Sequence, residues 1–225
     1  KSVVNQREIG MDTHDWASAL KNAMRQAPDC ILIGEIRDRD TMQAAISYAQ
    51  TGHLCLATLH ANNSYHALNR IINFFPLENR PALFLDLSVA LRAIVSQRLV
   101  KKPDGKRFPT CEIMLNTRHI SDLIERGEVQ AIKDAMEQTL APGSQTFEQD
   151  LFRLYHEGAI TIDEALANSD SPTNLSWLIN NAEFNINSGK EEKLGDVAMD
   201  FDSTDEEGAS FKEFQLNLDD EQPTA

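Results

Sequence analysis

The chain has 225 residues, 41% of them hydrophobic, and a formal net charge of −14. That apolar share suits a packed core, yet no run approaches the roughly 20 apolar residues that cross a bilayer. From Ala182 to Ala225 there are 13 Asp/Glu against 3 Lys, leaving 22 acids and 18 bases for the first 181 residues, so no basic surface for nucleic acid is expected.

Lys1 stands where an initiator Met would, which gives the expectation of a piece of a longer protein. Val3-Val4 reads as the stub of a strand. Thr13 can cap a helix from His14 to about Gln26, broken by Pro28-Asp29. Cys30-Ile31-Leu32-Ile33 is a short continuous apolar run, as expected for a strand buried on both faces of a parallel sheet. Asp38 caps a second helix carrying Met42, Ala45, Ile46 and Ala49 and closed by Gly52. Leu54 to Leu59 reads as another buried strand, and a third helix begins near Ser64 with Leu68, Ile71, Ile72 and Phe75. This alternation predicts βαβ crossovers and a helix-covered parallel sheet. With only Cys30, Cys55 and Cys111 and no Cys-x-x-Cys pair, neither a zinc clip nor a disulfide framework is suggested. Cys30 and Cys55 read as small core residues, and a reducing cytoplasm fits best.

After Pro76 the pattern changes. Leu83, Leu87, Ala90, Leu91 and Ile94 form a helical stripe running towards Gln97. Arg107 to Leu115 can form an edge strand after the turn Pro103-Asp104-Gly105. From Thr117 helices dominate, with apolar sets Ile120/Leu123/Ile124, Val129/Ile132/Met136 and Phe147/Leu151/Leu154. Thr146 with Gln149, and Thr161 with Glu164, have capping-box spacing. Residues 1–115 therefore read as an α/β core, 116–181 as a helical C-terminal subdomain, and 182–225 as a disordered acidic tail.

Two segments carry chemistry. The run Asp29 to Ile33 leads into Gly34-Glu35-Ile36-Arg37-Asp38, an acid delivered at the carboxyl end of a strand, where open α/β sheets bind ligands. An acid there can order Mg²⁺-bound water or activate an attacking water. Alone, such a motif is structural more often than catalytic. Thr51-Gly52-His53 precedes the second strand and Thr58-Leu59-His60-Ala61-Asn62 follows it. Thr58 and His60 can bond a γ-phosphate or its waters, whereas either histidine can simply close a loop. Arg37 and Asp38 can face a subunit interface, or pair and cap the helix.

Gly34-Glu35-Ile36-Arg37-Asp38 resembles the Walker B box of the secretion-ATPase superfamily, and Thr51 to His60 resembles its His box. Val4-Asn5-Gln6-Arg7-Glu8 and Val95-Ser96-Gln97-Arg98-Leu99 match as well, so the resemblance covers roughly Ser2 to Asn174. Assembly ATPases place a tetracysteine zinc insert after the Ser-Gln-Arg-Leu segment; here Leu99 runs through Lys101 to Gly105 straight to Cys111, which favours the PilT/PilU retraction branch. PilT-like members carry Ala-Ile-Arg-Asn-Leu-Ile-Arg-Glu where this chain has His119-Ile-Ser-Asp-Leu-Ile-Glu-Arg126. With Ser121 in place of a basic residue, the chain is more similar to PilU, the accessory type.

The resemblance implies a RecA-like P-loop NTPase core, a homo-hexameric ring, and ATP with Mg²⁺ as ligands. It implies that Glu35 is the Walker B glutamate, touching Mg²⁺ through water. It makes His53 and His60 the His-box residues, with Thr58 beside the nucleotide. Implied partners are a PilT-like retraction ATPase and the platform protein of the inner membrane, on whose cytoplasmic face the ring would work. No Gly-x-x-x-x-Gly-Lys-Ser/Thr loop occurs in these residues, so this stretch alone is expected neither to bind ATP tightly nor to hydrolyse it. Two rival readings stand beside this one: an assembly or secretion ATPase of the same superfamily, and a non-catalytic interaction module.

Overall fold

A computed structural model describes residues 3–138 and 141–187, the side chains of 182–187 excepted. Strand β1 (Cys30–Ile33) pairs in parallel with β2 (Leu54–Ala57), Cys30 opposite Leu54 and Ile33 opposite Ala57. Helix α2 (Arg39–Gln50) is the crossover between them, begun by the Asp38 side chain accepting from the Thr41 amide and ended at Thr51 with Gly52 at φ +94°. A left-handed residue at that place is what stops the helix and turns the chain into β2. Helix α1 (Trp16–Met24) precedes this unit, capped by Asp15 rather than Thr13. Val3-Val4 forms no strand; both residues are exposed.

The expectation that both strands are buried on both faces is corrected. Ile31 and Ile33 point into the core, but Leu32 is 72% exposed, Leu54 56% and Leu56 48%. Among the described residues the parallel pair has no third strand or helix over that face, so alternate side chains meet solvent. Cys30 lies on the open face and is exposed, not a core residue, whereas Cys55 is partly buried.

Helix α3 (Ser64–Asn73) is capped by Asn63, and α4 (Arg80–Ala90) follows a single 3₁₀ turn. The helical stripe expected to run towards Gln97 stops at Ala90, where Leu91 turns extended. Strand β3 (Ala93–Lys101) then pairs antiparallel with β4 (Arg107–Leu115), Ala93 opposite Leu115 and Lys101 opposite Arg107. Ile94, Val95, Leu99 and Val100 suit a strand, and the nine-residue ladder decides what a short apolar run leaves ambiguous. Gly105, at φ +80°, turns the hairpin where Lys102 and Lys106 bond.

Helices α5 (Arg118–Glu125), α6 (Ile132–Glu137), α7 (Phe147–His156), α8 (Ile162–Asn168) and α9 (Pro172–Asn187) complete the described chain. All three predicted apolar sets are buried. Thr146 and Gln149 form the full capping box; Thr161 caps α8, while the Glu164 side chain accepts from the Lys101 amide instead. One core joins β1, α2, α3 and α4 to Met114, α5 and α6; a second gathers Val100 with α7, α8 and α9. These elements belong to one compact unit ending at Phe184, so the first core draws on residues to either side of position 115. Helix α9 runs past the expected tail boundary at 182, and residues 188–225, where the acidic tail was expected, lie outside the described residues. Among the described residues no helix is long and apolar enough to cross a membrane.

Candidate functional site

Parallel strands side by side bring their carboxyl ends to one rim, and the site is built there. Chain leaving β1 carries Glu35, and chain leaving β2 carries Thr58 and His60. A backbone bond from the Ile36 amide to the Thr58 carbonyl, 3.0 Å, continues the pairing beyond the strands, and the Thr58 hydroxyl donates to the Gly34 carbonyl. Gly34 is open on its side-chain face, with nothing within 4 Å of where a Cβ would stand. These two bonds fix the spacing of the segments that bear the acid and the imidazole.

Glu35 is the centre of the cluster. Its Oε1 lies 3.1 Å from His60 Nε2, and its Oε2 accepts from Arg37 Nε at 2.6 Å and lies 2.5 Å from Arg37 Nη2. The Glu35 side chain is 18% exposed while His60 is 77% exposed, so a sheltered acid is met by a solvent-facing ring. The Arg37 hydrogen bond, with the charges of Arg37, His60 and Arg70, outweighs partial burial and holds the Glu35 carboxyl below its ordinary range. It is a carboxylate at neutral pH. Asp38 is a helix cap, its acidity raised by the Thr41 amide, and Arg37 pairs with Glu35 rather than with Asp38.

The structure does not bring His53 to this rim. His53 precedes β2 and so lies at its other end, roughly 13 Å away along four strand residues. There its Nδ1 lies 3.0 Å from the Thr51 hydroxyl and 3.3 Å from the Tyr48 carbonyl, at the end of α2. Thr58 is at the rim, but its hydroxyl is already engaged with Gly34.

Two features of the neighbourhood escaped the motif reading. A cleft of about 580 Å³ opens beside His60, lined by Asn62, His66, Asn69, Arg70 and Phe74 among others. A second feature is the polar network around the 60–63 loop, part-buried at Arg98 and fully buried at Glu112. Arg98 reaches Asn62, Asn168 and Asp170, and buried Glu112 accepts from the amide and hydroxyl of Ser64 at the start of α3. The matching Ser-Gln-Arg-Leu segment was a signal for Arg98; nothing in the local pattern pointed to Glu112.

Comparison with known proteins follows the same lines. The family model described as "Type II/IV secretion system protein" matches residues 3–175. The type IV pilus ATPase PilU of Pseudomonas aeruginosa is 52% identical over 178 residues, covering 79% of this chain and 47% of that protein. The type IV pilus retraction ATPase PilT of the same organism is 36% identical over 175 residues, covering 78% and 51%. A crystal structure of the pilus retraction motor PilT with bound ADP superimposes with a TM-score of 0.70 at 38% identity, covering 78% of this chain and 49% of that one. The chain thus spans about half the length of the curated relatives it matches. The expected fold, an α/β ATPase core followed by helices, agrees with that neighbour.

Proposed function

Because the chain belongs to the type II/IV secretion system protein family and is of the PilT/PilU type, we propose that it forms part of a hexameric motor that hydrolyses ATP to retract a type IV pilus. In this reading the accessory, PilU-type role is the one filled, and twitching motility is the outcome. The motor works at the cytoplasmic face of the inner membrane with a PilT-like ATPase and the pilus platform protein. The single observation that carries the proposal is Glu35 meeting His60 at the carboxyl ends of two parallel strands.

Each Glu35 oxygen has two acceptor directions, and the Arg37 and His60 contacts leave room for a water. An ionised Glu35 can therefore orient water for in-line attack on a γ-phosphate. His60 Nε2 lies 3.1 Å from a carboxylate oxygen that only accepts, so in this reading the nitrogen facing Glu35 carries its proton. Exposed as it is, the ring can turn that N–H towards a phosphate oxygen when nucleotide arrives, leaving Glu35 Oε1 to the water. Exchange of one acceptor for another is how His60 would report the phosphate. Thr58 holds Gly34 and so sets the geometry of both arms.

Magnesium accompanies ATP in this reading. No three His, Cys, Asp or Glu side chains gather into a cation cage among the described residues, so the residues present fit a water-mediated contact through Glu35. Bound with ATP, the ion would neutralise charge on the phosphoryl group. The phosphate cradle is expected from other parts of the whole protein, and residues 1–225 alone are proposed to be inactive.

The test uses the whole protein. Its mass in solution with ATP and magnesium, together with its turnover, should give a hexamer that hydrolyses ATP and contains no zinc. A zinc-bearing particle would point to an assembly motor, and absence of turnover would contradict the proposal.

A further inference from the structure

We propose that Arg98 is a positioning residue: it locks the loop that presents His60 to the turn between α8 and α9, so that the C-terminal helices set the geometry of the site. The inference rests on the functional reading of Glu35 and His60 given above.

One guanidinium holds three separate segments. Arg98 Nη2 donates to the Asn62 carbonyl at 3.1 Å, two residues beyond His60. The same nitrogen meets Asp170 Oδ1 at 2.5 Å, and Nη1 donates to the Asn168 carbonyl at 2.6 Å, at the end of α8. Its planar face lies 3.9 Å from the centre of the buried Phe147 ring at the start of α7. Asp170 closes the ring of contacts through Oδ2, which accepts from Asn63 Nδ2 at 2.8 Å. Burial pushes the Asp170 carboxyl up, but the bonds from Asn63 and Arg98 and the Arg98 charge prevail and leave it below its ordinary value. Asn63 in turn caps α3 through its Oδ1.

The loop from 61 to 63 is thus clamped on both sides by one ion pair. It has little regular bonding of its own beyond the Ala61 amide on the Leu59 carbonyl. Among the described residues the Arg98 bond is what ties the Asn62 carbonyl to the 168–170 turn. A shift of α8 and α9 pulls the Asp170–Arg98 pair, and the pair pulls the loop carrying His60. A lysine at this position supplies charge but no planar fork to serve three acceptors, nor a flat face for Phe147.

Arg98→Lys and Asp170→Asn in the whole protein are the test, read two ways. Hydrogen exchange in peptides covering residues 59–67 should accelerate about tenfold in each variant while peptides covering β2 stay unchanged. Turnover should fall about tenfold with KM for ATP within twofold, because a small displacement of a reacting group is felt in kcat. In a His60→Ala background Arg98→Lys should then have no further effect on turnover. Unchanged exchange at 59–67, or an effect of Arg98→Lys that persists in full without His60, would overturn the proposal. If the unaltered protein shows no turnover, the functional reading fails, and the exchange measurement alone decides whether Arg98 holds the loop.

Discussion

Glu35 and His60 meet at 3.1 Å although one leaves β1 and the other β2. The contact is possible because the two strands are parallel and Ile33 pairs with Ala57, so that Glu35, two residues past β1, and His60, three residues past β2, leave the sheet at the same rim. His60→Ala should lower turnover of the whole protein on the order of a hundredfold. ATP affinity should stay within about threefold. The ring is exposed, so thermal stability should hold to within about 0.5 kcal/mol. Steady-state kinetics with a melting curve check all three.

Position of the acid depends on what lies beneath it. Ile33, the last residue of β1, is 1% exposed and packed in the first core, two residues before Glu35. Ile33→Ala should cost about 2–5 kcal/mol in chemical unfolding, the lost transfer energy plus a cavity. A cost under about 1 kcal/mol would mean β1 is not held as described.

How much of this was legible in the residues divides along physical lines. Cys30–Ile33 announces a strand because four apolar residues bounded by Pro28-Asp29 and Gly34 are too short a run for a helix, and Asp38 announces α2 because its side chain can cap a helix. Glu35 and His60 were legible as strand-end polar residues. His53 shares a motif with His60, yet motif membership says nothing about which end of a strand a residue sits on. Strand β3 was hidden because Leu91 and Ile94 continue the spacing of α4, and only pairing with β4 reveals the change. Leu32, Leu54 and Leu56 look like core in a one-dimensional reading; their exposure depends on what covers the sheet. Glu112 gave no signal, since its meaning comes from Ser64, far away in sequence.

Glu112 yields a prediction about pH. Burial raises its carboxyl above the ordinary value, against the bonds from Ser64 that lower it and with the charges of Asp170 and Glu148 adding to the rise. The folded chain therefore binds that proton more tightly than the unfolded one. Its contribution to stability is fully present below the unfolded value, 4.5, and is lost as pH rises through the folded value. Glu112→Gln removes this dependence. The midpoint of the variant relative to the parent should become more favourable as pH rises from about 4 to 7. A difference constant across that range would show that Glu112 titrates as an ordinary carboxylate.

The central claim is that the carboxylate at the end of β1 orients the attacking water. Glu35→Gln in the whole protein keeps the shape and can still accept from Arg37, but it removes the negative charge. Turnover measured beside nucleotide binding is the most direct test. The account predicts binding of ATP within a few-fold of the parent and turnover reduced by at least about a thousandfold. Turnover within tenfold of the parent would contradict it.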